Sequence, residues 1–198
     1  ISYEFRVKKN TFNFRHKLIS VIRGLSIVFA QGCFYLSIMN LEYATAATLV
    51  FSTPIFLTAL SVPILGNVVG YWRWSAVLLG FLGIVIIIRP GSEIFSIYAL
   101  LPLGAAFGYA LSSVLVKLFP KEVHTTNIQL YTQLTTLIAA ILICGFTLSF
   151  SYISSFYDLF LLAIIGFTGG TGVIFLIWGY RLVEPSLIAP FEYFGLPI

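Results

Sequence analysis

Residues 20–39 read SVIRGLSIVFAQGCFYLSIM and residues 44–65 read ATAATLVFSTPIFLTALSVPIL, with only NLEY between them. Each stretch carries about 20 largely apolar residues, and an α-helix of that length, rising about 1.5 Å per residue, spans a hydrocarbon core roughly 30 Å thick. Working outward, further apolar runs cover 72–88, 94–119, 127–148, 158–180 and 185–198. The first six are read as transmembrane helices, and the seventh, at 14 residues, is too short to cross. The expected fold class is an all-α polytopic membrane protein, and composition agrees. Hydrophobic residues make up 59% and charged residues 9%, against about 25% charge in soluble domains, and the mean hydropathy is +1.00.

The cations fall on alternate sides of the runs. Arg6, Lys8, Lys9, Arg15, Lys17 and Arg23 go with the leading flank, Arg73 follows the second run, Lys117 and Lys121 the fourth, and Arg181 the sixth. Arg89 alone belongs to the other side. Basic flanks remain cytoplasmic during insertion, so residues 1–19 are expected inside, with the first helix running outward. A net charge of +4 dispersed over helix ends gives orientation and no basic face for nucleic acid. Cys33 and Cys144 lie in apolar runs without metal-ligand spacing, and His16 and His124 lack a second ligand at helical spacing, so no metal and no cofactor are expected. The chain opens on Ile1 and stops at Ile198 within an apolar run, and further helices are expected beyond both ends.

Small and helix-breaking residues mark where helices approach or bend. Gly104 and Gly108 form a small-xxx-small pair, as do Gly166 and Gly170, while Gly80 and Gly83 share the third run; such residues let membrane helices pack closely. Thr168 to Gly172 holds three glycines mid-run, which predicts a hinge, a close helix contact or cavity-lining backbone. Pro54, Pro63, Pro102 and Pro190 each remove an amide donor and permit a kink. Tyr43, Tyr71, Trp72, Trp74, Tyr152, Tyr157 and Tyr180, near run ends, are expected to be interfacial anchors.

Polar and aromatic residues at depth are the candidate path: Gln31, Tyr35, Ser52, Thr53, Tyr109, Ser112, Trp178, Glu192 and Tyr193. Glu192, seven residues past Pro185, lies about 10 Å along its run, where a lipid-facing carboxylate is costly. It is expected either to face a cavity, with protons as a candidate coupling ion, or to lock two helices together by hydrogen bonds. The stretch from Phe34 through Leu41 to Pro54 also lies over Phe175, Leu182 and Gly195. These copies begin five helices apart, and an odd offset inverts the second in the membrane.

The ordered set Asn40 to Pro54, Leu65-Gly66, Trp72-Arg73-Trp74, Leu79 to Gly91 and Tyr180-Arg-Leu-Val-Glu-Pro-Ser-Leu-Ile-Ala-Pro-Phe-Glu-Tyr193 resembles the EamA-type transporters of the drug/metabolite transporter superfamily. That resemblance implies ten helices in two inverted five-helix repeats with both termini cytoplasmic. Residues 1–92 would hold the family's third to fifth helices, and residues 93–198 its sixth through part of its ninth. It implies a central cavity opened to each side in turn, a small-molecule substrate, residence in a bacterial inner membrane and a homodimer as a candidate assembly. Gly66-Asn67-Val68 stands where members often carry Gly-Glu-Arg, so any role for that acidic residue is in doubt. A channel or structural subunit is the alternative reading; an intramembrane enzyme is weaker, because no Gly-x-Ser-x-Gly, His-Glu-x-x-His or phosphate-binding loop occurs.

Overall fold

The computed structural model describes residues 14–66, 70–88, 97–120, 123–147 and 155–182. These are helical: α1 (Phe14–Ile38), α2 (Tyr43–Val50), α3 (Thr53–Leu65), α4 (Tyr71–Ile88), α5 (Leu100–Leu115), α6 (Thr125–Thr147) and α7 (Phe156–Leu182), with 3-10 turns at Ile97–Ala99 and Val116–Leu118 bounding α5. Five segments are long and apolar enough to cross a membrane: His16–Ile38, Tyr43–Leu65, Ile97–Leu118, Thr125–Phe146 and Phe156–Leu182. The protein is an all-α polytopic membrane protein. The third expected run is the 18-residue α4, about 27 Å long, and the seventh lies outside the described residues.

The second run departs from a single rod. Its helix stops at Val50 and restarts at Thr53, with Pro54 in the first turn of the new segment. Proline has no N–H to give the carbonyl of Val50. The Thr53 hydroxyl donates to that oxygen instead, at 2.7 Å. Gly66 ends α3 at φ +68°, its N–H donating to the Val62 carbonyl at 3.0 Å, a backbone conformation that glycine adopts without steric cost. Pro102 makes no break, because it sits in the first turn of α5, where the missing N–H would have had no helical partner. Nor do the glycines of the sixth run: α7 is continuous from Phe156 to Leu182, and Gly166, Gly169, Gly170 and Gly172 have no described neighbour within 4 Å of a modest side chain. The expected close contact at that run is absent among the described residues.

The centre of the bundle is α5, which packs most extensively on α1 and then on α3, while α1 also packs along α6. Its inner face is built from Pro102, Ala105, Ala106, Gly108, Ala110 and Ser112, all buried. Small side chains let the backbones close in, the main source of helix association where lipid is as apolar as leucine. A Cβ on Gly108 would stand 2.7 Å from the Ser26 carbonyl oxygen and 2.9 Å from the Ala30 Cβ, so this glycine is required by the α1–α5 contact. Gly104, one turn away, would meet Cys33 Sγ at an ordinary 3.4 Å. Gly24 does for α1 and α6 what Gly108 does for α1 and α5, since a Cβ there would fall 2.6 Å from Thr135 Cβ. Gly80 approaches the Ile55 side chain of α3 in the same way, at 2.8 Å, whereas Gly83 has nothing within 4 Å.

One expected interfacial anchor is misplaced. Tyr43, Tyr71, Trp72 and Tyr157 are exposed, but Tyr180 is 1% exposed and clusters with Leu57, Ala110 and Val114. Its ring is core, because α7 converges on α3 and α5 at this end; Tyr152 lies outside the described residues.

Candidate functional site

Lys17, Lys117 and Arg181 gather at one end of the bundle, where the His16 ring lies 6.1 Å from that of Phe119 and Lys17 Nζ stands 5.9 Å above the Tyr131 ring. Arg181 organises this end. Its Nη1 donates to the Val123 carbonyl at 2.7 Å and to Thr125 Oγ1 at 2.8 Å, and its Nη2 donates to the Pro120 carbonyl at 2.8 Å. One guanidinium thereby ties the last turn of α7 to the connection between α5 and α6. Beside it is a cavity of about 500 Å³ lined by Thr125, Trp178, Arg181 and Leu182. An indole face next to a guanidinium suits a flat solute with an acceptor group. Replacing Arg181 by alanine is expected to cost roughly 2 kcal/mol, since charge-assisted hydrogen bonds contribute about 1.5–3 kcal/mol before exposure discounts them. Hydrogen exchange would report this as faster exchange of the amides of residues 123–128 with those of 20–30 unchanged.

A second polar cluster lies inside the bundle. Arg23 is nine residues beyond Phe14 in α1, about 13 Å along the axis, and only 4% exposed. Its Nε donates to the Ser112 carbonyl of α5 at 3.1 Å, and its Nη1 to Thr132 Oγ1 at 3.1 Å and Gln129 Oε1 at 3.4 Å on α6. Thr132 Oγ1 in turn donates to the Ile128 carbonyl at 2.8 Å, and Thr132 and Gln129 are themselves buried. The sequence reading placed Arg23 with the basic flank; the structure corrects this, because α1 begins six residues before the apolar run and draws the side chain between three helices. The signal was there in a lone charge inside an otherwise uncharged run, followed at once by Gly24.

Of the nine residues expected along the path, the seven that are described do not gather in one place. Gln31 and Tyr35 share an exposed face of α1, Tyr35 being 61% exposed, and Tyr109 of α5 is half-buried within electrostatic reach of Tyr35. Ser52 is buried at the break between α2 and α3, its hydroxyl without a hydrogen-bond partner, whereas Thr53 caps the Val50 carbonyl. Ser112 contributes its backbone oxygen to Arg23. Trp178 joins the cavity beside Arg181. Glu192 and Tyr193 lie outside the described residues. Among the described residues no cluster of His, Cys, Asp or Glu could hold a metal ion. Thr125 and Arg181, which complete the cavity, were not among the expected residues; a cation three residues after a tryptophan at the end of a run was the available clue.

Residues 4–89 match the EamA-like transporter family. Across all 198 residues the chain is 24% identical to an S-adenosylmethionine uptake transporter of Rickettsia felis, of which it spans 66%, just under two thirds. It is 30% identical over 156 residues, 77% of this chain and 50% of the relative, to a riboflavin transporter of Rhizobium johnstonii. To a riboflavin transporter of Vibrio cholerae it is 44% identical over 69 residues, 35% of this chain and 23% of that one. No solved structure matches the chain.

Proposed function

Starting from a chain that belongs to the EamA-like transporter family through residues 4–89, we propose that the complete protein is a secondary transporter carrying a small metabolite across a bacterial plasma membrane by alternating access. The observation that carries this reading is that the likeness to uptake transporters runs the length of the chain, on a bundle whose buried polar groups lie within membrane-crossing helices. Transport needs only that the solute bind with different free energies in the two states of the bundle. The residue 1–92 part and the residue 93–198 part act as the two inverted repeats. Their seam runs along α1 and α5, which meet at Gly108, and through the Tyr180 cluster, which joins Leu57 of one part to Ala110 and Val114 of the other. Rocking at that seam opens the pocket beside Trp178 and Arg181 on the side that bears residues 1–19, the cytoplasmic face.

The solutes to try first are S-adenosylmethionine and riboflavin, the substrates in the relatives' names. Both carry a flat heteroaromatic ring that matches the indole of Trp178. The complete protein in proteoliposomes is expected to give saturable uptake of one of them, inhibited by unlabelled solute. Flux that rises linearly with concentration and shows no competition would favour a channel instead. Cysteines at Lys9 and Lys121 are expected to be labelled from the same face, and labelling from opposite faces would overturn the topology. Proton coupling through Glu192 belongs to the same proposal. The acidic residues among those described, Glu42 and Asp158, stand at helix starts and are poorly placed to shuttle protons mid-membrane. Glu192→Gln is expected to abolish stimulation by a proton gradient while sparing exchange of solute; a variant that keeps full gradient-driven uptake removes the coupling role.

A further inference from the structure

A guanidinium presents five N–H donors, and at Arg23 the structure accounts for three of them. Nε is engaged by the Ser112 carbonyl, and Nη1 by Thr132 Oγ1 and Gln129 Oε1. Nη2 has no hydrogen-bond partner among the described residues, in a side chain that is 4% exposed. All three acceptors are neutral, so among the described residues the positive charge is met by dipoles and by no carboxylate. The described carboxylates are too remote to help. Glu42 precedes α2, beyond the far end of α1, and Asp158 begins α7, about 35 Å along that helix from Arg181 at the basic end. A charge held this deep in a membrane protein is costly unless something opposes it. Gly24 and Gly108 bring α6 and α5 tightly against α1 near it, so close helix packing flanks the site. Held by Nε and Nη1, the guanidinium plane is fixed before any anion arrives, which reduces the ordering cost of binding one.

We propose that Arg23 is the counter-charge for a carboxylate on the transported solute, with Nη2 donating to a carboxylate oxygen. This rests on the transporter reading and narrows its substrate class to carboxylate-bearing metabolites. Gln129 and Thr132 position the guanidinium, and the Ser112 carbonyl sets its tilt. The arrangement distinguishes a solute with an ionised acid from the same solute without it, because the uncharged analogue leaves Nη2 unpaired.

The test uses the complete protein in proteoliposomes with S-adenosylmethionine and its decarboxylated form as probes, and riboflavin as an acid-free solute. Wild type is expected to prefer S-adenosylmethionine over the decarboxylated form by roughly 10- to 100-fold in KM, the range of one charge-assisted hydrogen bond. Arg23→Gln should erase that preference by raising KM for the acid alone. A drop of equal size for both probes would make Arg23 a structural lock and overturn the proposal. So would a wild type that carries both probes equally, or that carries riboflavin but neither of them; in either case the transporter reading survives. A wild type that carries none of the three sinks that reading and this site together. Because Arg23→Gln could fail to fold, wild type is also treated with phenylglyoxal and mapped by mass spectrometry. S-adenosylmethionine, and not its decarboxylated form, should protect Arg23; unchanged or indiscriminate labelling counts against the site.

Discussion

Gly108→Leu is expected to lower the thermal unfolding midpoint of the detergent-purified protein by about 10 °C, corresponding to roughly 3 kcal/mol at 2–4 °C per kcal/mol for a chain of this size. Its first added carbon would stand 2.7 Å from the Ser26 carbonyl oxygen and 2.9 Å from the Ala30 Cβ. The first of these is backbone, so no rotamer change on α1 relieves the contact, and the two helices must separate. In water such a seam would also be held by the hydrophobic effect; in lipid most of the attraction is dispersion between surfaces in contact, which falls steeply with a gap of an ångström. Gly104→Ala supplies the control one turn away. Its new methyl meets Cys33 Sγ at 3.4 Å, ordinary contact, and removing a glycine from a helix interior contributes up to about 1 kcal/mol in its favour, so the midpoint should hold or rise. Equal losses from both variants would mean that the α1–α5 seam is looser than its geometry implies.

The contrast between these two glycines marks the limit of what the sequence reveals. Apolar length is a one-dimensional property, so the helices at 20–39, 127–148 and 158–180 could be read directly and recur as α1, α6 and α7 with ends moved by a few residues. The small-xxx-small spacing identified the Gly104/Gly108 face but not which glycine is in contact. Gly24, whose partner at that spacing is Ser20, was not singled out although it is equally crowded. The Gly166–Gly172 region had the stronger pattern and no described neighbour. Depth and polarity similarly give a residue's height along the helix and say nothing of its azimuth. Tyr35 and Ser112 both qualified on height, but one points outward and the other lies between helices. Arg23 was hidden for a related reason: near the head of an apolar run a cation reads as a flank, and only the start of α1 at Phe14, ahead of that run, places it well inside the bundle.

Tyr180→Ala is the second large effect, expected at about 3 kcal/mol and localised to the end of α7. Large aromatic-to-alanine changes in packed interiors cost about 3–5 kcal/mol. In a membrane the transfer part shrinks, because the unfolded reference is already in lipid, while the lost contacts and the cavity remain. Tyr180 is 1% exposed in a cluster with Leu57, Ala110 and Val114, and Phe56, Leu60, Ile64 and Leu65 pack against that cluster. Most of α7 has no such support; through residues 155–169 every position is exposed, and Ile177 and Tyr180 are the residues of this helix buried among those described. Losing the ring therefore leaves Ile177 and the Arg181 hydrogen bonds to hold the helix end. Spin labels at Leu176 and Leu60 are expected to give a single narrow distance in wild type and a broadened, longer one in Tyr180→Ala, with Tyr180→Phe close to wild type because it retains the ring volume. A Phe variant as loose as the Ala variant would transfer the role from packing to the hydroxyl. An unchanged distance in both would mean that α7 is held to the bundle by something other than this cluster.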